Sequence, residues 1–296
     1  MNHVHEALGV DLGGTKIRVA RVTREGVILE KRVERVPKGR DAQLEVIFQN
    51  IQKLYSDRTI GVGLGFPGRV KVPEGIALTA GYLELKDLPL ADLIRQHFSV
   101  PAFVDTDADM ALLAETKMGA ARGFKDVAMM TIGTGIGGAI LFDGKMFYGN
   151  GSAAQLGHLT VDPRGPVCNC GRRGCIETLS SGSALGRLLA QTDLDRNIPA
   201  TELIELAQKG HPVARQVLTE WITPLKMAID SLYAVISPEI VLLGGGLGSA
   251  AFETLQLIQP AGSPWFHSRV AAGTLGDDAG VIGSGLCAWE KFGDQE

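Results

Sequence analysis

Two stretches of this chain share one form: an apolar run, a turn of small residues rich in glycine, and a second apolar run. They are ALGVDLGGTKIRVARV, beginning at Ala7, and VAMMTIGTGIGGAILFDGKMFYG, beginning at Val127, about 120 residues further on. Glycine loops that hold a dinucleotide or follow the phosphate-loop plan open a helix, whose N-terminus faces the phosphates. Gly63-x-Gly65-x-x-Gly68 and Gly133-x-Gly135-x-x-Gly138 have the dinucleotide spacing, but RVKVPEG and AILFDGK follow them, and neither is helical. Gly9-x4-Gly14 begins like a phosphate loop, then ends Thr15-Lys16 in the reverse order and runs into a strand. Both helix-based modes are excluded. What remains is a pair of β-hairpins with glycine tips, a coarse repeat that predicts a duplicated α/β fold.

The intervening segments fit that plan. Helical spacing is predicted over Gln43–Tyr55, Leu90–Phe98, Ala108–Lys117, Leu225–Ile236 and Ala279–Lys291, and strands over TIGVGLGF, SVPAFVDT and EIVLLG. Asp143-Gly144 is a hairpin signal, and Gly119–Lys125 is a candidate hinge. The expected division is a lobe of residues 1–118 and a lobe of residues 119–296, with the closing helix able to pack back on the first. A length of 296 residues suits two cores, and 45% hydrophobic with 21% charged residues suits a soluble protein. The net charge of −4 offers nothing to nucleic acid or an anionic membrane. MNHVHEALGVDLGG has no basic region before an apolar one, so no signal peptide is expected, and Val127–Phe142 is too short to span a bilayer. Four cysteines without such a signal point to a reducing cytoplasm. The clustering of 38 glycines in a few loops suggests close backbone approach to ligands.

Backbone N–H groups at the tip Asp11-Leu12-Gly13-Gly14-Thr15-Lys16 can surround phosphate oxygens, and Asp11 offers a carboxylate for Mg²⁺. Thr131–Gly138 can clasp the same polyphosphate, with a hydroxyl from Thr134, and GGGLG ends a further strand. Read separately, each hairpin is also a plain tight turn. In VDTDADMALLAE, Asp107 falls where a strand meets a helix, a position suited to a carboxylate that deprotonates an acceptor hydroxyl in phosphoryl transfer. A helix-dipole or capping role would also place an acid there. Asp105 and Asp109 are expected to face solvent.

CNCGRRGCIE, Cys168–Glu177, holds three of the four cysteines. Adjacent bridges would strain a CxC pair, and a lone thiol nucleophile needs a base. Three crowded thiols suit a metal better, with His158 in QLGHLTV as the nearest fourth ligand. A tetrahedral zinc filled by four protein ligands has no position for an activated water, so the site is structural. Cys287, in an apolar helix, is expected to be buried and inert.

Taken in order, DLGGTK, GFPG, the Asp107 segment, TIGTGIGG, Gly157-His158, CNCGRRGCIE and PEIVLLGGG resemble the ROK family of repressors, open reading frames and sugar kinases. The resemblance covers nearly the whole chain. It implies two actin-like (ribonuclease H-like) α/β lobes with an interlobe cleft and a structural zinc loop. It further implies that Asp11, Gly13, Gly14, Thr15, Lys16, Gly133, Thr134, Gly135, Gly137, Gly138, Gly244, Gly245 and Gly246 bind ATP with Mg²⁺, and that Asp107 is the catalytic base. Zinc would be held by His158, Cys168, Cys170 and Cys175. Gly68, Thr106, Asp107, Gln155, His158 and Glu177 would meet the sugar, the zinc clip fixing the loop that carries Glu177 and His158.

Family repressors resemble this chain with a DNA-binding domain in front; DLGGTK begins at residue 11, so none is expected here. The family pattern has Asn where this chain has Thr106, Glu where it has Gln155, and Asn near Gly81. A glutamine amide accepts at one end and donates at the other, unlike a carboxylate. The expectation is therefore a cytoplasmic, homodimeric ATP-dependent kinase for a substituted hexose or sugar-like alcohol, with glucose a poor acceptor. An inactive sugar sensor is the alternative.

Overall fold

The computed structural model describes residues 5–79, 83–151 and 153–293. The chain divides into two compact units, neither continuous in sequence. One holds the chain up to Arg122, Met146–Ala154 and the residues from Asp277 onward; the other holds Gly123–Lys145 and Gln155–Gly276.

In the first unit, β1 (Glu6–Leu12), β2 (Lys16–Val22) and β3 (Ile28–Arg35) form an antiparallel meander. Helix α1 (Arg40–Leu54) leads to β4 (Thr59–Phe66), which pairs parallel with β1. A small hairpin of β5 (Arg69–Lys71) and β6 (Ile76–Thr79) precedes α2 (Leu90–Phe98), β7 (Ala102–Thr106) and α3 (Asp107–Met118). The sheet runs β3-β2-β1-β4-β7. Alternation along β1 and β4 turns Leu8, Val10, Leu12, Val62, Leu64 and Phe66 to one face, where Ile47 and Ile51 of α1 and Leu90 and Ile94 of α2 complete a dry core.

The opposite face of those strands carries glycines, and the C-terminal helix Ala279–Phe292 lies against it. A Cβ on Gly9 would collide with the Val281 carbonyl, and one on Gly63 with the Ser284 carbonyl. Ser284 Oγ, fully buried, donates to Val10 O at 2.9 Å. These strand glycines let a helix backbone touch a sheet backbone, a use distinct from that expected of the glycines clustered in loops.

The second unit repeats the plan. Strands β8 (Val127–Ile132) and β9 (Ile136–Phe142) form a hairpin, extended by β10 (Lys145–Met146) through the Asp143-Gly144 turn, both residues at positive φ. A turn at Leu156–His158 and the cysteine loop lead to α4 (Glu177–Ser180), α5 (Gly182–Leu189), α6 (Ala200–Gln208) and α7 (Pro212–Ile236). Then come β11 (Ile240–Gly244), α8 (Gly248–Ile258) and β12 (Val270–Ala272), and the C-terminal helix of the first unit is α9. The second sheet runs β10-β9-β8-β11-β12, with β8, β11 and β12 parallel. Strand for strand this is the order of the first sheet: an antiparallel meander, then parallel strands. Among the described residues, no helix is long and apolar enough to cross a membrane.

Candidate active site and metal centre

Register places three neighbouring positions at the C-terminal ends of parallel strands in the first unit. Asp11 of β1 lies opposite Gly65 of β4, and Gly65 opposite Asp105 of β7. The absence of a side chain at Gly65 makes room for Asp107, whose Cα would be 3.1 Å from a Cβ there. Asp107 opens α3 and is partly buried; its Oδ1 accepts from Ala108 N–H at 2.8 Å. Burial, and then the charge of Asp11, push its carboxyl up to about 7. Asp11 is pushed up to about 6 by burial, against the pull of Arg18, whose guanidinium lies 3.2 Å from Oδ2 and also reaches Asp277 at 3.0 Å. The tip beyond Asp11 closes with Gly13 N–H donating to Lys16 O at 2.9 Å, leaving Thr15 and Lys16 exposed.

Asp105 and Asp109 do not face solvent: they are 3% and 7% exposed. Asp105 accepts from Thr106 N–H at 2.8 Å and from the Tyr148 hydroxyl at 2.7 Å. Thr106 caps α3: its Oγ1 accepts from Asp109 N–H at 3.1 Å and donates to Asp109 Oδ2 at 2.7 Å. This Thr106 cap draws Asp109 back over the first turn, while Thr106 N–H and the Tyr148 hydroxyl hold Asp105 inward. Burial pushes both carboxyls up, Asp109 the further because Asp105 also repels its charge. The Thr106 hydroxyl is thus engaged within its own helix start. Gly68 sits just past β4 with φ 146°, a conformation that favours glycine. Gly81 lies outside the described residues.

In the second unit, the β8–β9 hairpin turns at Gly133-Thr134-Gly135, with Gly133 N–H donating to Gly135 O at 2.9 Å and Thr134 exposed. Gly137 and Gly138 follow in β9, paired with Thr131 and Met130. Thr131 also neighbours Gly244, so the Gly244-Gly245-Gly246 turn lies beside the hairpin, and Leu247 N–H donates to Ile132 O at 2.9 Å. Gly245 has φ 76° and packs against Ile132, which no larger residue could do. Gln155 precedes the turn that carries His158. Glu177, two residues past Cys175, accepts through Oε2 from Ile136 N–H at 3.0 Å.

His158, Cys168, Cys170 and Cys175 converge, with their ligand atoms all within 4.8 Å of one another. Bridges from Thr160 to Cys175 and from Val167 to Arg173 fold the loop, and Arg172 donates to His158 O at 2.7 Å. His158 Nδ1 is 3.5 Å from Cys168 Sγ, and the Cys170 and Cys175 sulfurs are 3.6 Å apart. A tetrahedral zinc sets such sulfur–nitrogen and sulfur–sulfur pairs about 3.5 and 3.8 Å apart, so the donor set fits. Burial pushes the Cys175 thiol up to about 12, whereas Arg172 N–H lowers Cys170 to about 7. Bringing all three thiolates together needs a cation. Cys287 is buried in α9, and burial pushes its thiol up to about 12, as suits an inert side chain.

Sequence reasoning does not single out Arg18 or Tyr148, because each meets its acid only through strand pairing or a distant loop. Ser181-Gly182-Ser183 does carry a signal, a serine N-cap before α5, that can be read directly.

The ROK family model matches residues 7–290. A glucokinase of Halalkalibacterium halodurans is 33% identical, covering 98% of this chain and 96% of its own length. An N-acetylmannosamine kinase of Yersinia pestis is 30% identical, over 96% of this chain and 98% of its own. Among solved structures, a ROK glucokinase from Streptomyces griseus, in complex with glucose and AMPPNP, superimposes with a TM-score of 0.84 at 30% identity, covering 96% of this chain and 99% of that one. Motif order, paired sheet topology and these likenesses agree, and the chain belongs to the ROK family.

Proposed function

We propose that this protein is an ATP-dependent carbohydrate kinase that phosphorylates a hydroxyl of a hexose or hexose-like substrate. The observation that carries the reading is Asp107: a carboxylate at a strand end, pushed up to about 7, matches what a base working near neutral pH requires. Named glucokinases and an N-acetylmannosamine kinase among the relatives support the substrate class.

In this reading Asp107 accepts the proton of the acceptor hydroxyl as its oxygen bonds to the γ-phosphorus of ATP and the bond to the ADP oxygen breaks. Asp11, whose carboxylate burial makes hard to ionise, gains from a cation and is the residue that would hold Mg²⁺; the ion neutralises phosphate charge when bound. The residues assigned to ATP are Gly13, Gly14, Thr15 and Lys16, the Gly133–Gly138 hairpin with Thr134, and Gly244 to Gly246. Gln155, His158 and Glu177 serve the acceptor, with Gly68. His158 and the three cysteines hold a structural zinc that keeps their loop in shape. We further propose a cytoplasmic homodimer.

Specificity is expected to differ from that of a plain glucokinase. The Thr106 hydroxyl is committed to its helix cap, and Gln155 presents an amide. A site built for one hydroxyl pattern loses much of its affinity for another. The test is ADP release over hexoses, N-acetylhexosamines, ketoses and cyclitols with Mg-ATP. Turnover is expected with at least one acceptor other than glucose, at a higher kcat/KM than with glucose. Sugar binding with no ADP release for any acceptor would sink the kinase reading.

A further inference from the structure

We propose that Glu177 and the start of α5 brace the glycine hairpin of the second unit, so that the metal-bearing loop sets nucleotide affinity as well as acceptor recognition. The inference rests on the kinase reading above, in which that hairpin receives phosphate.

The hairpin tip closes on itself through Gly133 N–H to Gly135 O at 2.9 Å, but it is open on its flank: a Cβ on Gly133 would meet nothing within 4 Å. Glycine turns lose more conformational freedom on ordering than any other residue, and a tip that must order around an anion binds it weakly unless something orders it beforehand. Here the ordering comes from outside the hairpin. Gly182 N–H donates to Gly133 O at 2.8 Å, and Ser183 donates to Thr134 O through its Oγ at 2.8 Å and, more weakly, its N–H at 3.3 Å. Both carbonyls are thereby drawn toward α5. Carbonyl oxygens repel phosphate and amide groups attract it, so holding these carbonyls on α5 keeps them from turning to face an anion.

The second strand of the hairpin is gripped at one residue, Ile136, from both ends of the metal loop. Its N–H donates to Glu177 Oε2 at 3.0 Å, two residues past Cys175. Its carbonyl lies so close to Gly157, the neighbour of His158, that a Cβ there would collide. The brace is itself anchored. Ser181, 1% exposed, accepts through its carbonyl from Trp221 Nε1 of α7 at 3.0 Å, and its Oγ caps α5 by accepting from Ala184 N–H. Glu177 therefore acts through the hairpin as a positioning residue, besides any contact with the acceptor.

Calorimetry of the full chain with Mg²⁺ and a non-hydrolysable ATP analogue, with no sugar present, reads the brace directly. Metal analysis of each variant accompanies it. Glu177→Ala is expected to weaken nucleotide binding by about 10-fold, the worth of one charge-assisted hydrogen bond. Glu177→Gln keeps an oxygen that can accept from Ile136, so its nucleotide Kd should stay within about 2-fold while acceptor KM rises. Ser183→Ala touches neither metal nor acceptor; it should weaken nucleotide binding by about 3- to 5-fold, the worth of one neutral hydrogen bond, with zinc retained and acceptor KM at saturating ATP unchanged. If Ser183→Ala and zinc-replete Glu177→Ala both bind the nucleotide as tightly as the unaltered protein, the brace is overturned. If Glu177→Ala loses zinc or fails to fold, unchanged binding by Ser183→Ala overturns the part assigned to α5 and with it the proposal. An unaltered protein that binds no nucleotide would overturn the kinase reading, and the brace with it.

Discussion

At the scale of the residue, Asp107 gathers the most chemistry into one side chain, and its environment fixes the sign of two effects. With its carboxyl pushed up to about 7 by burial and by Asp11, the base form is populated only as pH rises through that value. The acceptor-dependent kcat should therefore climb from pH 6 to pH 8 and level off above, as a stopped assay across that range would show. In the proposed reading Asp107 is the base, and Asp107→Asn removes it. Its kcat should fall by roughly 10²–10⁴-fold while the nucleotide Kd barely changes. Linkage gives the same substitution an opposite effect on stability. A carboxyl raised in the folded state and near 3.9 when unfolded penalises folding increasingly as pH rises between those two values, and the penalty persists above them. Asp107→Asn should then raise Tm at pH 8 by more than at pH 5. Equal shifts at both pH values would mean that the raised carboxyl is not there. Much of this residue's position is legible from VDTDADMALLAE alone, since a strand-to-helix junction is readable. The inward turn of Asp105 and Asp109 is not, because it depends on the Thr106 cap and on Tyr148, 43 residues away in sequence.

At the scale of the element, the glycines do two kinds of work that composition alone does not separate. Gly133 and Gly135 make a bare hairpin tip. Gly9 and Gly63 make a flat strip on which α9 rests backbone to backbone. The difference lies in a partner that arrives from the far end of the chain, which no local spacing announces. Gly63→Ala should lower stability by roughly 1–3 kcal/mol, as overpacking does, with little change in zinc content; thermal unfolding would measure it. The cysteine loop is the opposite case: three cysteines and a histidine at short spacing have few other uses, and the four side chains do converge. Its protein should purify with about one zinc per chain, and chelation should lower Tm because the metal's binding energy is folding energy. Full thermal stability without metal would remove the structural role.

At the scale of the whole molecule, the repeated strand order is what the two glycine hairpins foretell, and the parallel strands after each hairpin complete it. The units' boundaries are harder to read: Met146–Ala154 and the residues from Asp277 leave their sequence neighbours to join the first unit. Nothing local marks those crossings, because the contacts that recruit them, such as Tyr148 to Asp105 and Lys31 to Asp278, are long-range. The late return of α9 also has a consequence during synthesis. The entire second unit must leave the ribosome before α9 emerges, so the nascent first sheet carries its glycine strip uncovered, with the Val10 carbonyl lacking the Ser284 hydroxyl. Translation order therefore holds back completion of the first-made unit until after the second. A stalled nascent chain ending at residue 276 should be cut by protease within residues 6–66 far faster than the released protein.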